Sequence, residues 1–215
     1  MDSLVSAAVA VRDCGEVNFL HAGYGQRTQE RELKSFNALC RHYRPARSKV
    51  LDWNWLAGIG GSALTDATME IPSVEQETGI PSTYVPFRNA NLIAAAVAWA
   101  EVIGAGLVYI GAVEEDSSGY PDCREIFFDA MQKAIDTGTR QTHPIRIVTP
   151  VLHLNKAQIV KLGLELKAPF ELSWSCYQDN EAACGVCASC RLRLKAFAAA
   201  GVEDPIPYRG AGSVK

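Results

Sequence analysis

Short β-rich runs alternate with helical patterns along most of this chain, and that alternation narrows its fold more than any other feature. "EVNFLHA" (16–22) precedes a charged amphipathic stretch (28–43), and "SKVLDW" (48–53) is followed, after a long gap, by an apolar helix (89–105). "GLVYIGAV" (106–113) leads to a helix over 123–136, and "IRIVTPV" (145–151) to a helix over 155–166. Strands joined through helices pair in parallel, so the expected class is α/β, a parallel sheet with helices on both faces. Asn155 and Gln158 stand three apart, the spacing of a capping pair. The 89–105 helix is apolar nearly all round, which predicts burial. Residues 54–85, rich in Gly, Ser, Thr and Pro, read as a long irregular loop, either a lid over the crevice at the carboxyl ends of the strands or a surface excursion. No repeat interrupts the pattern, and residues 1–215 read as one domain.

A second constraint lies near the end. "CYQDNEAACGVCASC" places Cys176, Cys184, Cys187 and Cys190 in a C-x7-C-x2-C-x2-C spacing. A C-x2-C step lets two thiolates reach one ion from a tight turn, and Gly185 gives that turn its freedom. Four thiolates complete a tetrahedral Zn²⁺ shell with no open position, which implies a structural centre within 173–200; iron–sulfur ligation is the rival. Arg191, Arg193 and Lys195 follow directly, and some of this positive charge is expected to offset the negative charge of such a centre. The chain has seven cysteines, an odd total, which disfavours a disulfide framework. Cys123 reads as a packed thiol.

The net charge of −3 supplies no basic surplus of the kind nucleic-acid binding needs. The longest apolar run, "LIAAAVAWA" (92–100), ends at Glu101, well short of the roughly 20 residues of a membrane-spanning helix. Asp2 near the start argues against a signal peptide. The expectation is a cytoplasmic protein with no membrane partner and no direct nucleic-acid partner.

The opening "MDSLVSAAVA" has Asp2 and Ser3 where a helix N-cap belongs, yet no strand precedes that helix. Together with "GYGQR" (23–27), "TYVPFRN" (83–89), "SGYPDCRE" (118–125), "TPVLHLNKAQIVKLG" (149–163) and the cysteine segment, the chain resembles the 7-cyano-7-deazaguanine (preQ0) synthases of queuosine biosynthesis. That family belongs to the N-type ATP pyrophosphatases, with an adenine nucleotide alpha hydrolase-like fold. The resemblance implies that "MDS" is the second half of an S-G-G-x-D-S phosphate loop. The Ser-Gly-Gly half and a central strand would precede it, and without that strand its neighbours would each lack a ladder partner.

The resemblance further implies conversion of 7-carboxy-7-deazaguanine and ammonia to the nitrile with ATP, Mg²⁺ and a structural Zn²⁺, by a homodimer. It assigns Asp2, Ser3 and the first-turn amide of Leu4 to the nucleotide phosphates. Arg88 and Lys156 become partners for phosphate or carboxylate. Asp116 becomes a metal or ammonia handler, Tyr120 a stacking surface for the flat ring, and Asp122 an acceptor for the base edge. Residue by residue, the plainer alternatives are an N-cap for Asp2 and Ser3, solvated cations for Arg88 and Lys156, and a Ser/Gly/Pro/Asp turn for 116–122. The chain departs from the commoner pattern at Val113, Glu115 and Ser117, and at Phe87, where a small residue is often found; Glu114 and Glu115 add negative charge there. Two other readings compete: another ATP pyrophosphatase such as a tRNA thiolase, and a zinc-stabilised binding module without catalysis.

Overall fold

The computed structural model describes residues 1–73, 79–114, 119–140 and 142–209. In chain order the elements are α1 (Asp2–Asp13), β1 (Asn18–Gly23), α2 (Gln29–Tyr43), β2 (Arg47–Asp52) and α3 (Asn54–Ile59). They continue with α4 (Arg88–Ile103), β3 (Leu107–Tyr109), α5 (Glu125–Gly138), β4 (Arg146–Val148), α6 (Lys156–Glu165) and α7 (Ala188–Ala199). Short 3-10 turns at Pro121–Cys123 and Phe170–Leu172 precede α5 and the metal loop.

Local chemistry accounts for the helix ends. Helix α6 starts on the expected capping box: Asn155 accepts from the Gln158 amide, and the Gln158 side chain accepts from the Asn155 N–H. Helix α2 carries Glu30 and Glu32 in its first turn and Arg41 and His42 in its last, each sign opposing the local end of the helix dipole. The long 54–85 loop contains one regular element, α3. It is also less of an excursion than its composition suggests, because Ala63, Leu64, Ile71 and Val85 are buried in two small apolar clusters. Helix α4 corrects another expectation: it buries one face through Ala90, Ile93, Val97 and Ala100, while Val102 is 81% exposed. Its many alanines make the periodicity shallow, so an all-apolar sequence coexists with one-sided burial.

The strands are parallel, but the sheet comes in two halves. Strand β1 pairs with β2 from Asn18↔Arg47 to Gly23↔Asp52, and β3 pairs with β4 from Leu107↔Arg146 to Tyr109↔Val148. Neither β1 nor β3 has a second ladder partner among the described residues. Residues 17–22 and 106–113 line a common cavity of about 770 Å³, which also meets α1 and α4. Phe19 and Leu20, apolar residues of β1, border this cavity and are only half-buried.

Two apolar clusters support the halves. One joins α1, α6 and α7 through Val5, Ile159, Val160, Phe170 and Phe197; the other joins α4, α5 and the β3–β4 pair through Ile93, Val97, Phe128, Ile135 and Ile145. A Cβ on Gly163 would lie 2.3 Å from the Phe170 ring and 2.9 Å from Val5, so α1 and α6 approach this closely because that site has none. Gly→Ala inside a helix ordinarily stabilises by about 1 kcal/mol. Here overpacking reverses the sign: Gly163→Ala is expected to cost about 1–3 kcal/mol in urea unfolding.

Candidate active site

The strands deliver their carboxyl ends to one edge, and the chemically distinctive residues gather there. Tyr24 and Gln26 follow β1, Gly111 to Asp122 follow β3, and Lys156 follows β4. In open parallel sheets this edge is where ligands bind.

Helix α1 presents its amino end at this edge. Its N-cap is Met1 with no side-chain cap bond, so Asp2 and Ser3 stand in the first turn and do not cap. The Asp2 carboxylate instead pairs with the Lys156 ammonium at 2.9 Å, while its other oxygen, Oδ1, is buried without a partner. Ser3 is exposed. Leu4 turns its side chain into the core, so only its backbone N–H, free at the start of a helix, is available at this edge. The end is located by contact with the strand beside it: a Cβ on Gly111 would lie 2.5 Å from the Ser3 nitrogen.

Arg88 begins α4, directly after Phe87, which holds a left-handed conformation (φ 57). Its guanidinium donates to the Tyr24 hydroxyl at 3.0 Å and lies 5.5 Å from the centre of that ring. It lines the large cavity and a second one of about 180 Å³, together with Asp2, Tyr24 and Tyr177. No carboxylate among the described residues pairs with it. A half-buried cation walled by phenols, facing a cavity, suits an anionic group of a ligand.

Asp122 is 2% exposed. Its Oδ2 accepts the Asn89 N–H at 2.9 Å, its carbonyl accepts from the Asn89 amide at 2.9 Å, and Oδ1 has no partner. Burial raises its pKa, against the opposing pull of the Asn89 N–H and Arg88. Tyr120, beside it, is 8% exposed, donates to Thr83 at 2.7 Å and packs against Tyr84 with ring centres 5.6 Å apart. Burial pushes the Cys123 thiol up to about 11, consistent with a packed thiol rather than a nucleophile. Asp116 lies outside the described residues.

The four cysteines of the cluster converge as the spacing implies: their sulfurs all lie within 4.8 Å of one another. A tetrahedral shell with metal–sulfur bonds of about 2.3 Å fits that span. Gly185 takes φ 73 at the turn, and Cys187 caps α7. Cys176 is the thiol driven furthest toward thiolate, by hydrogen bonds from Cys187 and Cys190 and from the Cys184 and Gln178 amides. Arg193 does not serve as the cluster's counter-charge. It is 1% exposed and paired with Asp204 at 2.7 and 2.9 Å, with the Ser173 and Ser175 hydroxyls and the Phe170 carbonyl accepting its remaining protons. A fully buried guanidinium needs its own carboxylate, and Asp204 is supplied from beyond α7 where local spacing gives no hint of it.

Several residues at this edge escaped the sequence reading. Tyr24 and Tyr177 stand beside Arg88, and Glu32 accepts from Thr28 at 2.8 Å and Gln26 at 3.1 Å at the rim of both cavities. Asn89 fixes Asp122. Only the "GYGQR" motif offered a signal, for Tyr24 and Gln26.

The sequence profile of the family described as queuosine biosynthesis protein QueC matches residues 1–201. The chain is 53% identical over 209 residues to a 7-cyano-7-deazaguanine synthase of Chlorobaculum tepidum, covering 97% of this chain and 92% of that protein. A synthase of the same name from Chlorobaculum parvum matches with the same identity and coverage, and one from Chlorobium limicola is 51% identical over the same span. A match of this extent leaves one conclusion: the chain belongs to the QueC family of queuosine biosynthesis proteins.

Proposed function

We propose that the chain converts 7-carboxy-7-deazaguanine and ammonia to 7-cyano-7-deazaguanine at the expense of ATP. The observation that carries this reading is a juxtaposition at one sheet edge. The open amino end of α1 with Asp2 and Lys156, and Arg88 among tyrosines, border adjoining cavities, while the unpartnered Asp122 oxygen lies just behind them, held by Asn89 next to Arg88.

The chemistry explains why such parts belong together. A carboxylate resists ammonia because oxide is not expelled. Attack of the carboxylate oxygen on the α-phosphorus of ATP releases pyrophosphate and turns that oxygen into part of a leaving AMP. Ammonia then adds to the carbonyl carbon, AMP departs and a proton is lost, giving the amide. The amide oxygen attacks a second ATP and pyrophosphate leaves; the nitrogen then gives up both of its protons as the C–O bond breaks and AMP departs, yielding the nitrile. Positioning and charge stabilisation are the protein's contributions.

On this reading the free amides of Asp2, Ser3 and Leu4 and the Lys156 ammonium face the phosphates. The bare Asp2 Oδ1 suits an oxygen-seeking Mg²⁺, which would offset phosphate charge. Arg88 holds the substrate carboxylate, and Asp122 accepts from the base edge. Tyr120 flanks the ring, and Asp116 is proposed for metal or ammonia handling. Cys176, Cys184, Cys187 and Cys190 would hold Zn²⁺, which clamps the C-terminal segment. A strand ending in Ser-Gly-Gly, seated between β1 and β3, completes the phosphate loop; the split sheet and its cavity support this. No helix among the described residues is long and apolar enough to cross a membrane. A cytoplasmic homodimer is part of the proposal.

The decisive assay is AMP release with ammonium and the carboxylated deazaguanine. It should compare the chain with a version carrying an added N-terminal strand and Ser-Gly-Gly. Substrate-dependent AMP is expected, highest in the extended protein; folded, zinc-loaded extended protein that releases none overturns the reading. In active protein Arg88→Ala should lower kcat/KM by about 10²–10³-fold. Gly111→Ala should weaken ATP binding about 10-fold or more through displacement of the α1 end, measured by titration calorimetry.

Asp122 gives a pH-dependent signature. Its folded pKa lies above the unfolded one, so its contribution is favourable below the ordinary carboxylate value and is lost as pH rises through the raised value. Asp122→Asn keeps an acceptor for the Asn89 N–H and removes the desolvated charge. At neutral pH a gain of about 1 kcal/mol, or roughly 2–4 °C in Tm, is expected. That gain should shrink toward zero below about pH 4, while binding of the base weakens.

A further inference from the structure

Tyr177 directly follows Cys176 and packs against two clusters at once. One is the cysteine core of Trp174, Cys176, Ala183, Cys187 and Cys190; the other is the Tyr24, Leu56, Leu64 and Val85 cluster behind Arg88. Its backbone is pinned from both sides. Cys176 Sγ accepts N–H bonds from Gln178 and Cys184, each at 3.4 Å, so the loop wraps one sulfur. The Trp174 indole N–H donates to the Asp179 carbonyl at 3.1 Å, and the Arg31 guanidinium covers that indole at 4.3 Å. Asn180 donates to the Arg27 carbonyl at 3.3 Å, joining the metal loop to the segment after β1. The 180 Å³ cavity therefore has Trp174, Cys176 and Tyr177 among its lining residues, alongside Arg88 and Tyr24.

We propose that the four-thiolate centre shapes the substrate site as well as tying down the C-terminal segment: an ion in it holds Tyr177 against the Arg88–Tyr24 pair, so that metal occupancy governs binding of the base carboxylate. Tyr177 is then a positioning residue, acting through Arg88. Without the ion, four thiols hold the 174–187 loop by weak sulfur contacts, such as Cys184 to Cys190 at 3.9 Å. The Tyr177 wall loosens, and Arg88 loses one side of its housing. The inference rests on the synthase reading only for the identity of the ligand.

The test is calorimetric titration of 7-carboxy-7-deazaguanine into metal-loaded and chelator-treated protein, each as wild type, Tyr177→Phe and Tyr177→Ala, with metal content and Tm measured alongside. Metal removal is expected to weaken binding by wild type about 10-fold, and Tyr177→Ala to weaken it similarly with its metal retained. Tyr177→Phe, which keeps the ring packing, should stay within about threefold. The two losses should not add: chelation of Tyr177→Ala should change little further, as two lesions in one coupled element require. Should chelation unfold the protein, the metal-loaded Tyr177→Ala decides. Wild-type affinity in that variant, or additive losses, overturns the inference and leaves the synthase reading standing. Metal-loaded wild type that does not bind the carboxylated base overturns the reading itself.

Discussion

The arrangement at the sheet edge depends on one close contact, the passage of α1's first turn over Gly111. A backbone nitrogen at the distance where a Cβ would sit, 2.5 Å, admits no side chain, so the amino end of α1 meets the strand directly. From that point the helix runs into the core through Val5, which is fully buried against α6 and α7. Lys156, at the start of α6, then reaches Asp2. Two helix amino ends thus meet at one place, and their combined dipoles favour a negatively charged ligand there.

Around this point the protein keeps polar groups unsatisfied where a folded core would ordinarily satisfy them. Among the described residues, Asp2 Oδ1 and Asp122 Oδ1 are buried without partners, and Arg88 has phenols but no carboxylate. The buried Arg193, by contrast, is fully paired with Asp204. The contrast separates the two environments: Arg193 is spent on holding the C-terminal segment, whereas the groups at the sheet edge keep unused hydrogen-bonding capacity.

The division of the sheet belongs to the same picture. Parallel pairs of two strands carry little stability alone, because each strand is buried only where helices cover it. Here α1, α4 and α6 supply the packing that holds the halves in register across the cavity. The outer strand β2 carries Arg47 and Lys49 and is mostly exposed, a charged edge that discourages pairing with another chain.

Much of this was legible in the residues because it is local. Alternating runs gave the four strands of the described residues and four of the helices, Asn155 and Gln158 gave the α6 cap, and the cysteine spacing gave a converging cluster with its turn at Gly185. These follow from neighbours a few positions apart, where backbone geometry leaves little choice. The tertiary structure alone decided which side chains meet from distant segments. It put Tyr24 and Tyr177 beside Arg88, tied Asp2 to Lys156, gave Arg193 to Asp204 rather than to the cluster, and buried only one face of α4. Such pairings depend on how helices cross a sheet, and the linear order of residues does not encode that crossing in any short-range pattern.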